Sequence, residues 1–343
     1  MTQQSSNNAE IPLSFRVGDA LVTRIPELRW TNADPARLYP DLDPAALGTH
    51  GGQLTAGSFN PDTGTLAQGT HSWLVRHAGR VILIDTATGN GKPRPRAPVL
   101  DHLDTPYLAR LAAAGVTPDQ VDLVLLTHIH ADHVGWNTVL RDNIWQPLFT
   151  RARHVYSEME ARYAAALDGF APAPDLPPGA FGRPDHPPMP QVYTDSLKPV
   201  IDAGLGQAIA IDGREIADGL SFHPAPGHSI DHAIIRLRSR GEEAWFVADL
   251  MHHPLQAYRP DLRSVYCEFP GKGEQSRRRM LAHAAETGAL CLTAHFAESG
   301  AGLSSLRCPR LPRSLARKRA AGTAGGDPAR RLVRRLGRHH PRE

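Results

Sequence analysis

The stretch Thr127-His128-Ile129-His130-Ala131-Asp132-His133 follows directly on Val121-Asp122-Leu123-Val124-Leu125-Leu126. The second stretch is a short apolar run of the kind that forms a buried strand. Side chains alternate along a strand, so His128 and His130 leave its end on the same side and can face one ion. A turn into a helix straight afterwards would project Asp132 and His133 beside that ion, within reach of a second. Imidazole nitrogens and a carboxylate, with no thiolate nearby, suit zinc or a similar borderline divalent metal. The chain holds 18 His, so an isolated pair would mean little. Three imidazoles and a carboxylate within six residues, directly behind a strand, point to metal.

Working outward, three later segments each place a ligand-type residue at a strand end. His228 lies in Pro224-Ala225-Pro226-Gly227-His228-Ser229, where Pro226-Gly227 makes a turn that presents the next side chain. Asp249 closes the apolar run Trp245-Phe246-Val247-Ala248, and a carboxylate there is costly to bury unpaired. His295 ends Leu292-Thr293-Ala294 in the same way. One edge of a two-sheet sandwich could bring all of them to the first cluster.

The rest of the chain fits such a sandwich. Strands are expected at Ala20 to Ile25, His71 to Arg76, Val81 to Asp85, His154 to Tyr156, Ala208 to Ile211, Leu220 to His223, Ala233 to Leu237, Ala244 to Ala248 and Ala289 to Thr293. Helices are expected at about Thr105 to Ala114, from a Ser157 cap through Ala166, at Ser196 to Ala203 and at Glu274 to Thr287. Strands with interspersed helices in each half imply two sheets with helices outside, an α/β class. Ala171 to Pro190 contains eight prolines, which forbids regular structure and reads as a long ordered loop or a flap. No internal repeat is visible.

With 41% hydrophobic residues and 21% charged, the expectation is a soluble globular domain over residues 15–300 behind a disordered N-terminus, 1–14. No apolar run is long enough for a membrane span, and no basic-then-apolar leader opens the chain, so the expected location is cytoplasmic. Cys267, Cys291 and Cys308 suggest neither a disulfide framework nor a thiolate zinc site. The net charge of +3 hides an asymmetry. Residues 301–343 contain eleven Arg and one Lys against Asp327 and Glu343, a net +10, which leaves −7 on the first 300 residues. A uniformly basic nucleic-acid-binding surface is therefore not indicated. From Arg307 onward Arg, Pro, Ala and Gly alternate without apolar periodicity, which reads as a basic, disordered tail. It is either a shifted-frame translation of a GC-rich gene or a true tail for acidic partners.

Taken in order, His128-x-His130-x-Asp132-His133, the Gly227-His228 turn, Asp249 at a strand end and the terminal His295 resemble the metallo-β-lactamase-fold metallohydrolases. Ile84-Asp85-Thr86 with Gly89 looks like that family's Asp-Thr-Gly turn, with Ala87 in place of the usual glycine. The resemblance spans roughly residues 70 to 297. It implies a four-layer αββα sandwich with two zinc ions per chain, or another divalent metal. One ion would sit on His128, His130 and His228, the second on Asp132, His133 and His295. Asp249 and a water or hydroxide would bridge them, and Asp85 would hold a metal-bound His in its working tautomer.

The resemblance also suggests chemistry. The chain looks closest to the lactonase and organophosphate-hydrolase branch, which implies opening an ester-like or lactone bond of a small molecule. Asp132 would deliver a proton to the leaving alkoxide. His252 lies three residues after Asp249, where some lactonase relatives carry a tyrosine that touches the substrate carbonyl, and its imidazole could donate that hydrogen bond. His232 fits a G-H-x-x-x-H spacing and reads as a support for the ligands or the fold. Trp136 and Asn137 are candidates for the pocket wall, with Trp136 equally a core residue, while Arg277, Arg278 and Arg279 read as solvated or paired. The alternatives are a glyoxalase-II-like thioester hydrolase, a phosphotriester hydrolase, a sulfur dioxygenase and a non-hydrolytic di-iron redox protein. The last fits less well, because His128, His130 and His133 are all intact and nothing after His295 would hold a flavin. A small-molecule substrate is expected, without nucleic acid or membrane, and a homodimer is compatible with the sequence.

Overall fold

The computed structural model describes residues 13–54, 57–171, 189–297 and 305–307. The first half supplies β1 (Ser14–Val17), β2 (Ala20–Ala33), β3 (Phe59–Asn60), β4 (Thr65–His77), β5 (Arg80–Ile84) and β6 (Leu123–Leu125), then the hairpin of β7 (Thr138–Arg141) and β8 (Ile144–Pro147), then β9 (Arg153–Ser157) and β10 (Gly206–Ile209). The second half supplies β11 (Glu215–Ala217), β12 (Leu220–Pro224), β13 (Ala233–Ser239), β14 (Glu242–Ala248), β15 (Leu290–Thr293) and β16 (Ser305–Arg307). One sheet runs β1-β2-β4-β5-β6-β9-β10 with β3 on β4, and the other runs β11 to β16 in sequence order.

Alternation along the strands assigns each residue to a layer. Trp73, Val75, Ile82, Ile84, Leu123 and Leu125 pack against Phe222, Ile235, Phe246 and Leu292 of the second sheet. The intervening Leu74, Leu83 and Val124 face outward onto Tyr107, Leu111, Ala161 and Ala164 of the helices Tyr107–Ala113 and Glu158–Leu167. Both faces of these strands are buried, which is why they read as continuous apolar runs. On the far side the helix Pro270–Thr287 covers the second sheet, with Met280 Sδ 3.6 Å from Cys291 Sγ and His283 stacked on Trp245. The result is the four-layer αββα sandwich.

Local chemistry explains the helix ends. Ser157 caps Glu158–Leu167, its hydroxyl accepting from the Glu160 amide. Gly288, in the left-handed region, closes Pro270–Thr287. Several expectations are amended. β4 begins at Thr65, six residues earlier than expected, and a π-helical turn Tyr193–Leu197 precedes the helix Lys198–Asp202. Within the stretch read as a tail, Ser305–Arg307 pair antiparallel with Leu290–Leu292. The remaining tail, the extreme N-terminus and most of the Pro-rich stretch lie outside the described residues. No helix among the described residues is long and apolar enough to cross a membrane.

Candidate metal centre

The loops at one end of the sandwich gather every ligand read from the sequence. After β6 the chain does not enter an α-helix. It makes an irregular turn through His128 to His133 and then a short 3-10 turn, Gly135–Asn137. The turn still brings Asp132 and His133 inward. Nε2 of His228 lies 3.1 Å from Nε2 of His128 and 2.8 Å from Nδ1 of His130. Asp132, His133 and His295 form a second group, with Asp132 Oδ1 3.8 Å from His133 Nε2 and Oδ2 3.6 Å from His295 Nε2. Asp249 joins the two: Oδ1 lies 3.0 Å from His133 Nε2, and Oδ2 lies 3.2 Å from His228 Nε2 and 2.8 Å from His295 Nε2.

The outward ring nitrogens are tied to the protein, which fixes what the inward ones offer. Asp85 Oδ2 accepts from His133 Nδ1 at 2.9 Å and from the Thr127 hydroxyl at 2.8 Å, and Thr127 Oγ1 in turn lies 3.0 Å from His128 Nδ1. His130 Nε2 donates to Glu268 Oε1 at 2.8 Å, and His295 Nδ1 donates to the Gly69 carbonyl at 2.9 Å. His228 Nδ1 sits 3.7 Å from Cys267 Sγ. Protons held on the outer nitrogens leave lone pairs on the inner ones. The inward lone pairs and the Asp249 carboxylate converge within a few ångströms, and buried His133 Nε2 and Asp249 Oδ1 have no hydrogen-bond partner among the described residues. Acceptors set against acceptors are stable around cations, so the donor set fits two divalent ions. Cys267 lies on the outer side of His228 and is not among the ligands.

The electrostatics divide the ligands: against the lowering effect of burial, Glu268 raises the pKa of His130, and Asp249 with Asp132 raises those of His133 and His295. Burial, then the neighbouring His133, His130 and His228, lowers the pKa of His128 well below the usual histidine range and keeps it neutral. Burial likewise lowers that of His228, against the pull of Asp249. Burial alone would raise the Asp249 carboxyl, but His133, His295 and His228 hold it well below its usual range. A carboxylate whose ionised form is favoured by its histidine neighbours thus sits at the junction of the two groups.

Backbone strain aims these side chains. Asp85 (φ 55°) and Ala87 (φ 49°) occupy the left-handed region, a strained conformation for residues that carry a Cβ. Ala248 (φ 41°) sits at a register shift between β14 and β15, a bulge that turns Asp249 out of the ladder and into the site. Gly227 (φ 129°) brings its backbone so close to the helix Pro270–Thr287 that a Cβ would lie 2.0 Å from the Gly273 nitrogen. That contact places His228.

Other sequence candidates fall differently. His232 is buried, and its Nε2 accepts from the Asp249 amide at 3.3 Å, so it supports the bridging carboxylate. Trp136 is core, stacked on Tyr107, and Asn137 accepts from the Thr86 hydroxyl. Arg277 is buried rather than solvated, and it is paired through hydrogen bonds. It donates to the carbonyls of Pro260, Leu250 and Leu262 and so fixes the loop that bears His252. His252 itself is fully buried, with Nε2 3.3 Å from Asp249 Oδ2 and its ring stacked on His295. It faces the bridging carboxylate, and with His228 and Asp249 it forms a further ligand-capable group.

Three acids were missed in the sequence. Glu27 accepts from the Thr88 and Gly89 amides and from Trp136 Nε1, fixing the loop after Asp85. Glu160 accepts from the Ile129 and Asp231 amides and from the Ser229 hydroxyl, tying the two histidine-bearing turns together. Glu268 orients His130. The Ser157-x-x-Glu160 spacing of a capping box is the one sequence signal that could have drawn attention to any of them.

The metallo-β-lactamase superfamily model matches residues 66–295. Comparison with curated proteins gives no match. Among solved structures, the chain is similar to AidC, a dizinc quorum-quenching lactonase solved with a product, at 19% identity and TM-score 0.65 over 84% of this chain and 91% of that one. It is equally similar to the hydrolase AbOPH of the β-lactamase superfamily, at 20% identity and TM-score 0.64 over 84% and 91%. A probable metal-dependent hydrolase from Staphylococcus aureus follows at 20% identity and TM-score 0.61, over 82% and 91%. With its family model covering two thirds of the sequence and its histidine and aspartate ligands gathered at one sandwich edge, the chain belongs to the metallo-β-lactamase superfamily and is a metallohydrolase.

Proposed function

We propose that this enzyme uses two zinc ions to hydrolyse an ester-like or lactone bond of a small molecule. The observation that carries the reading is Asp249: its carboxylate lies between the His228 and His133–His295 groups, as a bridge between two ions requires. The similarity in fold to a dizinc lactonase supports it. Five imidazoles and two carboxylates without a thiolate suit zinc. When bound, paired divalent ions activate water near neutral pH and polarise the attacked oxygen.

The chain's own residues supply the rest. Asp85 sets His133 directly and His128 through Thr127, while Glu268 and Glu160 fix His130 and the two turns. The side chains of Asp132 and His130, 18% and 14% exposed, mark the open side of an otherwise buried cluster. Substrate enters there. Asp132 therefore both completes the ligand set and stands on the open side, where its carboxylate can take the proton released by the attacking water and pass it to the departing alkoxide.

The test is elemental analysis of purified protein together with a panel of homoserine lactones, aryl esters, thioesters and phosphotriesters. Two zinc equivalents and fastest turnover of lactones or esters are expected. Preference for a thioester or phosphotriester would replace the substrate class, and full activity with a single ion would overturn the two-zinc assignment.

A further inference from the structure

The loop that follows Asp249 is pinned by buried side chains around His252. The His252 amide donates to Gln256 Oε1 at 2.7 Å, and its carbonyl accepts from Gln68 Nε2 at 3.2 Å. Gln256 Nε2 donates in turn to the Leu262 carbonyl at 3.0 Å, and Arg277 donates to the Leu250 carbonyl at 2.9 Å. Gln68, Gln256 and Arg277 are all buried, so the backbone that carries the His252 ring has little freedom.

The pinned ring lies among the metal ligands. It stacks on His295 with centroids 5.3 Å apart, and its centroid is 5.0 Å from that of His228. Its Nε2 is 3.3 Å from Asp249 Oδ2, the same oxygen that lies 3.2 Å from His228 Nε2. His228, Asp249 and His252 each offer a ligand atom within 4.8 Å of the others. The ring is fully buried, yet neither of its nitrogens has a hydrogen-bond partner among the described residues. Burying an imidazole with nothing on either nitrogen is costly. A cation beside Asp249 removes that cost at Nε2. His154 is also buried without such partners, but it belongs to none of the ligand-capable groups. An unpartnered ring marks a ligand only where other donors converge, as they do on His252.

Resting on the proposed two-ion centre, we infer that His252 is itself a metal ligand, whose Nε2 joins the ion held by His128, His130 and His228. Four imidazoles then serve that ion. The assignment replaces the substrate contact expected from the spacing of His252 after Asp249.

The test reads the imidazoles of the intact protein directly. With isotope-labelled histidine, ring-nitrogen NMR of the wild type should show the His252 signal moving on zinc binding, as those of His128, His130, His133, His228 and His295 do. That signal is identified by its absence from His252→Phe, which keeps a ring on His295 and removes both nitrogens. His252→Gln identifies it if the phenylalanine variant does not fold. Either variant should bind one ion at least roughly 10-fold more weakly. Saturated with cobalt, it should also differ from the wild type in visible absorption, because the donor set has changed. A His252 signal that does not move on zinc binding overturns the assignment. So does an unchanged cobalt spectrum, even with weaker binding, since a mere brace for Asp249 leaves the donor set intact. A single zinc equivalent by elemental analysis overturns the two-ion reading instead, and His252 is then judged by the same shift.

Discussion

Oδ2 of Asp85 lies 2.9 Å from Nδ1 of His133, and the same oxygen reaches His128 through the Thr127 hydroxyl. One buried carboxylate, set by a strained left-handed backbone, therefore dictates the tautomer of a histidine in each metal group. Asp85→Asn keeps the size but can present an amide N–H to a ring that needs an acceptor. Affinity for metal should fall by roughly 10–100-fold, as for other groups that orient metal ligands. Competition against a graded series of chelators measures this. Unchanged affinity would mean the two rings are set by their strands alone.

The proposed bridging role of Asp249 makes a second prediction. Asp249→Asn retains the shape and removes the negative charge from the junction of two cations. One ion should be retained and the other lost during dialysis, with activity falling by orders of magnitude. A variant that keeps both ions and its rate would reduce Asp249 to a strand-end residue.

Gly227 tests how the fold aims a ligand. Its φ of 129° and the 2.0 Å approach of a would-be Cβ to Gly273 leave no room for a side chain. Gly227→Ala should cost at least about 2 kcal/mol of stability and weaken the metal group that contains His228. Denaturant unfolding and metal titration read the two effects. A melting temperature equal to the wild type would show that the turn and the helix can separate without consequence.

Lys92 lies away from the ligands, fully buried, donating to Thr138 Oγ1 and the Asp195 carbonyl and resting on the Trp145 ring. Burial pushes its ammonium down to about 7, against the pull of Asp195. Its pKa is thus lower in the folded than in the unfolded chain. Between about pH 7 and the ordinary lysine value of ~10.4 the unfolded chain binds the extra proton, so stability should rise with pH across that window. Arg94, bonded to Asp195 through two nitrogens, keeps that carboxylate paired when Lys92 is replaced. Lys92→Met should therefore flatten the rise. Parallel melting-temperature profiles for the two proteins from pH 7 to 9.5 would contradict this.

The readability of the sequence followed from where each signal lies. β5, β6 and β14 were legible because both their faces are buried, which leaves unbroken apolar runs ending on His or Asp. β4 was truncated because Gly69 interrupts its apolar pattern. In the fold Gln68 is buried and donates to the His252 carbonyl, while the absent side chain of Gly69 lets its backbone approach Leu28. The ligand residues stood out because the chemistry demands their types at strand ends. Glu27 and Glu268 did not, since each is a single residue, one at a bulge of β2 and one in a loop, whose partners are remote in sequence. His252 was visible by its spacing from Asp249. Its direction was not, because that depends on Arg277 pinning the loop to three carbonyls.

The proposed function requires that the seven gathered ligands hold two ions that work together. The most direct measurement is activity of the stripped enzyme as zinc is added back in known equivalents, with bound metal measured at each point. Activity should stay low through the first equivalent and reach its plateau at two per chain, and His128→Ala should never reach it. A plateau at one equivalent, or full activity in the metal-free protein, would contradict the account.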